Sequence, residues 1–69
     1  MKYSICVVGL GYVGLVTAAK LADLNNDVVG VEIDDFKLKS LRKGNVPFYE
    51  SGLEDIFKRV LKNHNLNLT

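Results

Sequence analysis

Two short β-branched runs and three stretches of helical period divide this chain. Lys2–Val8 reads KYSICVV, and its apolar run Ile5-Cys6-Val7-Val8 ends at a glycine. A continuous run of this kind predicts a strand buried on both faces, as in a parallel sheet. Gly9-Leu10-Gly11 signals a turn. From Tyr12 to Leu24 no breaker follows Gly14, and Thr17, Lys20 and Asp23 recur every three residues, which places them on one helical face. Ala18, Ala19 and Ala22 on the remaining surface let such a helix approach a sheet closely. Asn25-Asn26-Asp27 reads as a loop or helix end, and Val28–Ile33 (VVGVEI) as a second strand. Asp34-Asp35 opens a second helix, because carboxylates cap free N–H groups and suit the positive end of the dipole. That helix runs to Lys43, with Phe36 or Lys37, Leu38 and Leu41 facing inward and Gly44 as its stop. Asn45–Glu50 is a loop with the sole proline. Ser51-Gly52-Leu53-Glu54 has the S-x-x-E form of a capping box. Leu53, Ile56, Phe57, Val60 and Leu61 then follow at i, i+3, i+4, i+7, i+8, an amphipathic stripe. Leu66–Thr69 reads as the start of another strand.

The order is β-α-β-α-α-(β), without internal repeats. Alternation of strands and helices predicts an α/β fold with a parallel sheet and right-handed crossovers. With 69 residues the chain is at most one small domain, burying about 60% of its unfolded surface. A two-lobed enzyme is excluded at this length. Hydrophobic residues make up 48% and charged residues 25%, a globular balance. The net charge of +1 gives no electrostatic case for nucleic acid or an anionic membrane as partner. One cysteine makes neither an internal disulfide nor a cysteine-based metal site. No stretch reaches the roughly 20 apolar residues of a membrane span. Lys2 and the run Ile5–Leu10 imitate a signal peptide, but the run is short and interrupted by glycine. The chain reads as soluble and cytoplasmic.

The chemistry lies at Gly9-x-Gly11-x-x-Gly14, which follows a predicted strand and opens a predicted helix. In that context Gly9 permits the tight turn. Gly11 admits a pyrophosphate close to the backbone, and Gly14 lets helix and strand pack. Free N–H groups at the helix start would hold the phosphates. Glu32 lies 18 residues beyond Gly14, near the place where a dinucleotide fold carries a carboxylate for the ribose hydroxyls. A carboxylate there repels a 2′-phosphate and favours NAD over NADP. No arginine follows at positions 33 to 36, although Lys37 stands close by. Glycines in such a turn can also serve packing alone; strand, helix and Glu32 in register favour the dinucleotide. The P-loop pattern is missing. A kinase-type G-x-G-x-x-G-x-V does match through Val16, but the alanine-rich segment after Gly14 reads as helix rather than strand.

The stretches ICVVGLGYVGLVTAAKLA, VVGVEID and VPFYESGLEDIFKRVL resemble the start of the UDP-glucose/GDP-mannose dehydrogenases. The resemblance covers nearly the whole chain. Its most specific part is Pro47-Phe48-Tyr49-Glu50-Ser51-Gly52-Leu53-Glu54, similar to that family's P-x-Y-E-P-G-L-E segment. It implies the first part of a Rossmann domain that binds NAD. It also implies a parent enzyme oxidising the C6 alcohol of a nucleotide sugar, UDP-glucose foremost, with two NAD and a cysteine thioester. By resemblance Gly9, Gly11, Val13 and Gly14 belong to the cofactor loop, Glu32 to the ribose and Lys37 beside the adenosine ribose, and Tyr12, between Gly11 and Val13, is a further candidate cofactor contact. Glutamate stands at 32 where aspartate is commoner, and serine at 51 where proline is usual. The family's catalytic cysteine, lysine and asparagine and its sugar-binding domain lie beyond position 69. Residues 1–69 are thus expected to carry only the adenosine half of a cofactor site, with no catalytic group and no metal ligand. The nucleotide sugar is expected to bind only a longer parent chain.

Cys6, inside the first strand, is expected to be a small buried apolar residue. His64 reads as solvated at a helix end. Tyr12 and Tyr49 either face the cleft or pack. Strands left uncovered by missing elements would expose apolar surface and favour self-association. A non-catalytic nucleotide-binding module, or part of another Rossmann oxidoreductase such as a 3-hydroxyacid dehydrogenase, are the rival readings. The segment Tyr49–Glu54 argues against the latter.

Overall fold

A computed structural model describes residues 2–69. Its elements are β1 (Ser4–Val8), α1 (Tyr12–Asp23), β2 (Asp27–Val31), α2 (Asp35–Arg42), α3 (Leu53–Lys62) and β3 (Leu66–Leu68). The three strands form one parallel sheet in the order β1-β2-β3, with Ile5 opposite Val28 and Val28 opposite Leu66. The expected element order is therefore present, and Leu66–Leu68 form the third strand. This is the half-sheet of a Rossmann fold. Both crossovers run in the same direction along the sheet, so right-handed connections put all three helices on one face.

That face makes the core. Ile5, Val7, Val28, Leu66 and Leu68 point at it from the sheet. Leu15, Ala18, Ala19 and Ala22 meet it from α1, and Leu53, Phe57 and Val60 from α3. The alanines of α1 have little side chain to hold the helix away, so α1 lies close on β2 while its polar face with Thr17, Lys20 and Asp23 stays in water. Arg59 reaches across from α3 to Asp23 at 2.6 Å. Asn26 is the one buried polar residue among those described. Its Oδ1 accepts from the Tyr3 N–H at 3.0 Å and its Nδ2 donates to the Leu21 carbonyl at 2.8 Å.

Three expectations need correction. First, β1 is covered on one face only. Ser4, Cys6 and Val8 are exposed, Val8 by 78%, and Cys6 is a surface thiol rather than a buried one. The apolar run is real, but no helix among the described residues reaches its second face. Second, Phe36 does not face inward; it is 85% exposed, and Leu41 is the buried residue of α2. Third, Ser51 does not cap α3. Gly52 is the N-cap, in the left-handed conformation with φ 79°, and no side chain caps it. Glu54, free of a capping role, pairs with Lys58 one turn on at 3.3 Å. Element ends also shift by a residue or two. β2 stops at Val31 and α2 at Arg42, with Lys43 as C-cap and Gly44 left-handed beyond it at φ 86°.

Candidate functional site

The site forms where β1 and β2 end and α1 begins. Gly9 donates its N–H to the Val31 carbonyl at 2.8 Å, the last rung of the ladder, and then turns with φ 87°. An L-residue there would carry the steric strain of a left-handed backbone. Leu10 plunges into the core and is completely buried. Gly11 is the N-cap of α1, in extended backbone, and its carbonyl accepts the Leu15 N–H at 2.8 Å. A Cβ on Gly11 would meet no protein atom within 4 Å, so the space beside it is open. A Cβ on Gly14 would lie well inside contact with the Gly9 carbonyl oxygen and 3.1 Å from its carbonyl carbon. The three glycines thus serve three purposes: backbone turn, open approach and close packing.

No side chain caps α1, and no acidic residue stands in its first turn. Its N-terminal N–H groups and the positive end of its dipole are left to meet an anion. Glu32 stands opposite. Its Oε1 accepts the Leu10 N–H at 3.0 Å and lies 3.7 Å from the Lys37 ammonium; its Oε2 accepts the Asp34 N–H at 3.1 Å. Asp34 in turn caps α2 by accepting the Lys37 N–H at 3.1 Å. One carboxylate therefore joins the glycine loop to the start of α2. The longer arm of glutamate is used here to reach back to Leu10. The two backbone N–H donors, Asp34 first and Leu10 second, hold the Glu32 carboxyl below its ordinary value, and Lys37 adds to them.

A depressed carboxylate stabilises the fold above its unfolded pKa, and the contribution disappears as pH falls through the folded value. Glu32→Gln should therefore lower stability at neutral pH and flatten the acid limb of the stability curve. Chemical denaturation of both proteins across the acid range measures this; parallel curves would refute the assignment.

Gly9, Gly11 and Gly14 stand at the turn into α1, and Glu32, bonded to the Leu10 N–H, brings Lys37 beside them. Tyr12 and Val13 are exposed on the rim, Val13 by 73%. Tyr49 is 91% exposed, and His64 is exposed just beyond α3. Two supporting residues escaped the sequence reading. Leu10 anchors the loop, and Gly30 makes room for it: a Cβ on Gly30 would sit 3.0 Å from a Leu10 methyl and 3.2 Å from one of Leu68. A glycine in mid-strand is the signal that marks such a close approach. Among the described residues no cluster of His, Cys, Asp or Glu is arranged to hold a metal ion, and no helix is long and apolar enough to cross a membrane.

A family model for the NAD binding domain of the UDP-glucose/GDP-mannose dehydrogenase family matches residues 3–69. The chain belongs to this family. It is 48% identical over 65 residues to the UDP-glucose 6-dehydrogenase of Pseudomonas aeruginosa, covering 94% of this chain and 14% of that protein. It is 41% identical over 64 residues to the UDP-N-acetyl-D-mannosamine dehydrogenase of Methanococcus maripaludis, covering 93% and 15%. The solved UDP-glucose dehydrogenase of the archaeon Pyrobaculum islandicum superposes with a TM-score of 0.92 at 38% identity, covering all of this chain and 16% of that one. The chain thus spans about a seventh of the length of these relatives. NAD is the cofactor of the matched domain, and the glycine loop with Glu32 fits it: an open Gly11, a helix start that no side chain caps and a carboxylate at the ribose distance along the chain.

Proposed function

We propose that residues 9–14 together with Glu32 and Lys37 bind the adenosine diphosphate half of NAD, and that a longer parent chain uses it to oxidise UDP-glucose to UDP-glucuronate. The observation that carries the first part is the Leu10 N–H bond to Glu32, which holds a carboxylate beside the glycine loop. The pyrophosphate lies against Gly11 and the start of α1, where nothing obstructs it. The ribose hydroxyls donate to Glu32, whose side chain is only 11% exposed. Lys37 lies 3.7 Å from that carboxylate, and discrimination against a 2′-phosphate falls to Glu32, which is held ionised by the Asp34 and Leu10 N–H groups. The nicotinamide half is left to residues outside this segment. UDP-glucose as the sugar nucleotide draws its support from the relatives named for it; GDP-mannose and UDP-N-acetylmannosamine are the rivals within the family.

Calorimetric titration separates these points. The 69-residue chain should bind NAD at least about tenfold more tightly than NADP, equivalent to about 1.4 kcal/mol. Equal affinities would remove Glu32 from the ribose. For the sugar, a parent chain carrying this segment should reduce NAD with UDP-glucose in preference to GDP-mannose or UDP-N-acetylmannosamine; preference for either rival would reassign the substrate.

A second reading applies to the 69 residues taken alone, as a nucleotide-binding module that associates with itself. The β1–β2 ladder ends with Asp27 N–H to the Tyr3 carbonyl and Gly9 N–H to the Val31 carbonyl. This alternation turns Ile5 and Val7 towards β2 and leaves the N–H and C=O groups of Ser4, Cys6 and Val8 at an open edge. Beside that edge, Val8 and Val29 are exposed. Sedimentation equilibrium should therefore give a mass that rises with concentration. A monomer at all concentrations, melting sharply, would contradict it.

A further inference from the structure

The segment between α2 and α3 is fastened to the start of α1. Tyr12 follows Gly11 directly and is the first residue of α1. Its hydroxyl donates to Glu50 Oε1. Its ring meets Phe48 edge-on, with centroids 4.8 Å apart and planes 62° from parallel. Lys20, two turns further along α1, brings its ammonium to 4.0 Å from Glu50 Oε2. Three contacts of different kinds thus tie Phe48–Glu50 to the outer face of α1.

Phe48 packs against the edge of the core, whereas Pro47, Tyr49, Ser51 and Gly52 are exposed, which places the stretch around Glu50 toward the low end of local stability. The glycine loop has no side chains at 9 and 11 with which to fix itself. Its anchors are its neighbours, Leu10 held through Glu32 and Tyr12 held through Glu50. The Tyr12 backbone N–H is also one of the unpaired donors at the start of α1.

We propose that Tyr12 and Glu50 are a positioning pair for NAD: they join the first turn of α1 to the loop at 47–52, so that cofactor binding orders the loop and an ordered loop tightens cofactor binding. The inference rests on the NAD-binding reading above. By linkage, the two effects are reciprocal: whatever the loop contributes to affinity, the cofactor returns as loop order. Glu50 also raises the Tyr12 phenol above its ordinary value, through the hydrogen bond first and its charge second. A simple brace would stabilise the fold and leave cofactor affinity alone, whereas a coupling pair moves both.

The experiment combines NAD calorimetry with amide hydrogen exchange of residues 46–52, in the wild-type chain and in Tyr12→Phe, Glu50→Ala, Glu50→Gln and the Tyr12→Phe/Glu50→Ala double variant. Tyr12→Phe and Glu50→Ala should each weaken NAD binding about three- to tenfold, the scale of one net hydrogen bond. The double variant should lose no more than either single one. Glu50→Gln, which still accepts the phenol proton, should recover most of the affinity. NAD should slow exchange at 49–52 in the wild type and not in Tyr12→Phe. Variants that melt earlier yet bind NAD as the wild type does would overturn the proposal and leave a brace. A folded wild type that binds no NAD would overturn the cofactor reading and this proposal together.

Discussion

Gly14→Ala should cost the chain most or all of its cooperative fold. The added methyl group has nowhere to go: it falls on the backbone of Gly9, at the carbonyl oxygen and 3.1 Å from the carbonyl carbon, with a Val7 methyl at 3.6 Å. Backbone cannot swing aside as a side-chain tip can. Relief requires α1 to lift from the sheet, and α1 contributes Leu15, Ala18, Ala19 and Ala22 to the core. Overpacking of this kind costs about 1–3 kcal/mol even where side chains can adjust, so about 3 kcal/mol or more is expected against backbone. A domain of this size holds about 3–10 kcal/mol in all. The melting temperature, followed by far-UV circular dichroism, should fall by more than about 10 °C, or the transition should vanish. A shift of only a degree or two would mean that helix and strand are not in the contact described. Gly9→Ala is the useful comparison. No atom lies within 4 Å of its new Cβ, so only the left-handed backbone at φ 87° penalises it, by about 1–2 kcal/mol.

Much of this architecture was legible because it is local. Val28–Ile33 reads as a strand from its own β-branched residues, and counting from Gly14 puts Glu32 near its end, where its carboxylate accepts the Leu10 N–H. What was not legible depends on partners distant in sequence or on backbone conformation. Cys6 and Val8 look like core residues, since periodicity records an apolar strand and not which helices arrive to cover it. Ser51 and Glu54 have the spacing of a capping box, but Gly52 enters the left-handed region between them and starts the helix itself. Phe36 lies beside Lys37 on a helix of eight residues, too short for its period to select one of them. The Tyr12–Glu50 contact joins residues 38 positions apart, and nothing in either neighbourhood announces it. Each glycine of the loop answers to a local requirement, yet only the geometry separates those requirements from one another.

That separation makes Gly11→Val the sharpest test of the cofactor site. The change should leave the fold standing and remove NAD binding. Gly11 has ordinary extended angles, φ −72° and ψ −167°, which valine adopts readily, and its Cβ direction is open. The fold loses only the difference between glycine and valine as N-cap, about 1 kcal/mol at most. The open space is the one a pyrophosphate needs to reach the N–H groups of α1. An isopropyl group there holds the phosphates off the donors, and affinity should drop on the order of 100-fold, about 2.7 kcal/mol. Gly11→Ser sharpens the result. Serine is a good N-cap whose hydroxyl accepts from the same free N–H groups, so this variant should be at least as stable as the wild type while binding NAD poorly. Stability and affinity would then move in opposite directions at one position, which no general weakening of the fold can imitate. If Gly11→Val and Gly11→Ser both bind NAD as the wild type does, the phosphates do not sit at the start of α1, and the three glycines serve only to pack a helix against a strand.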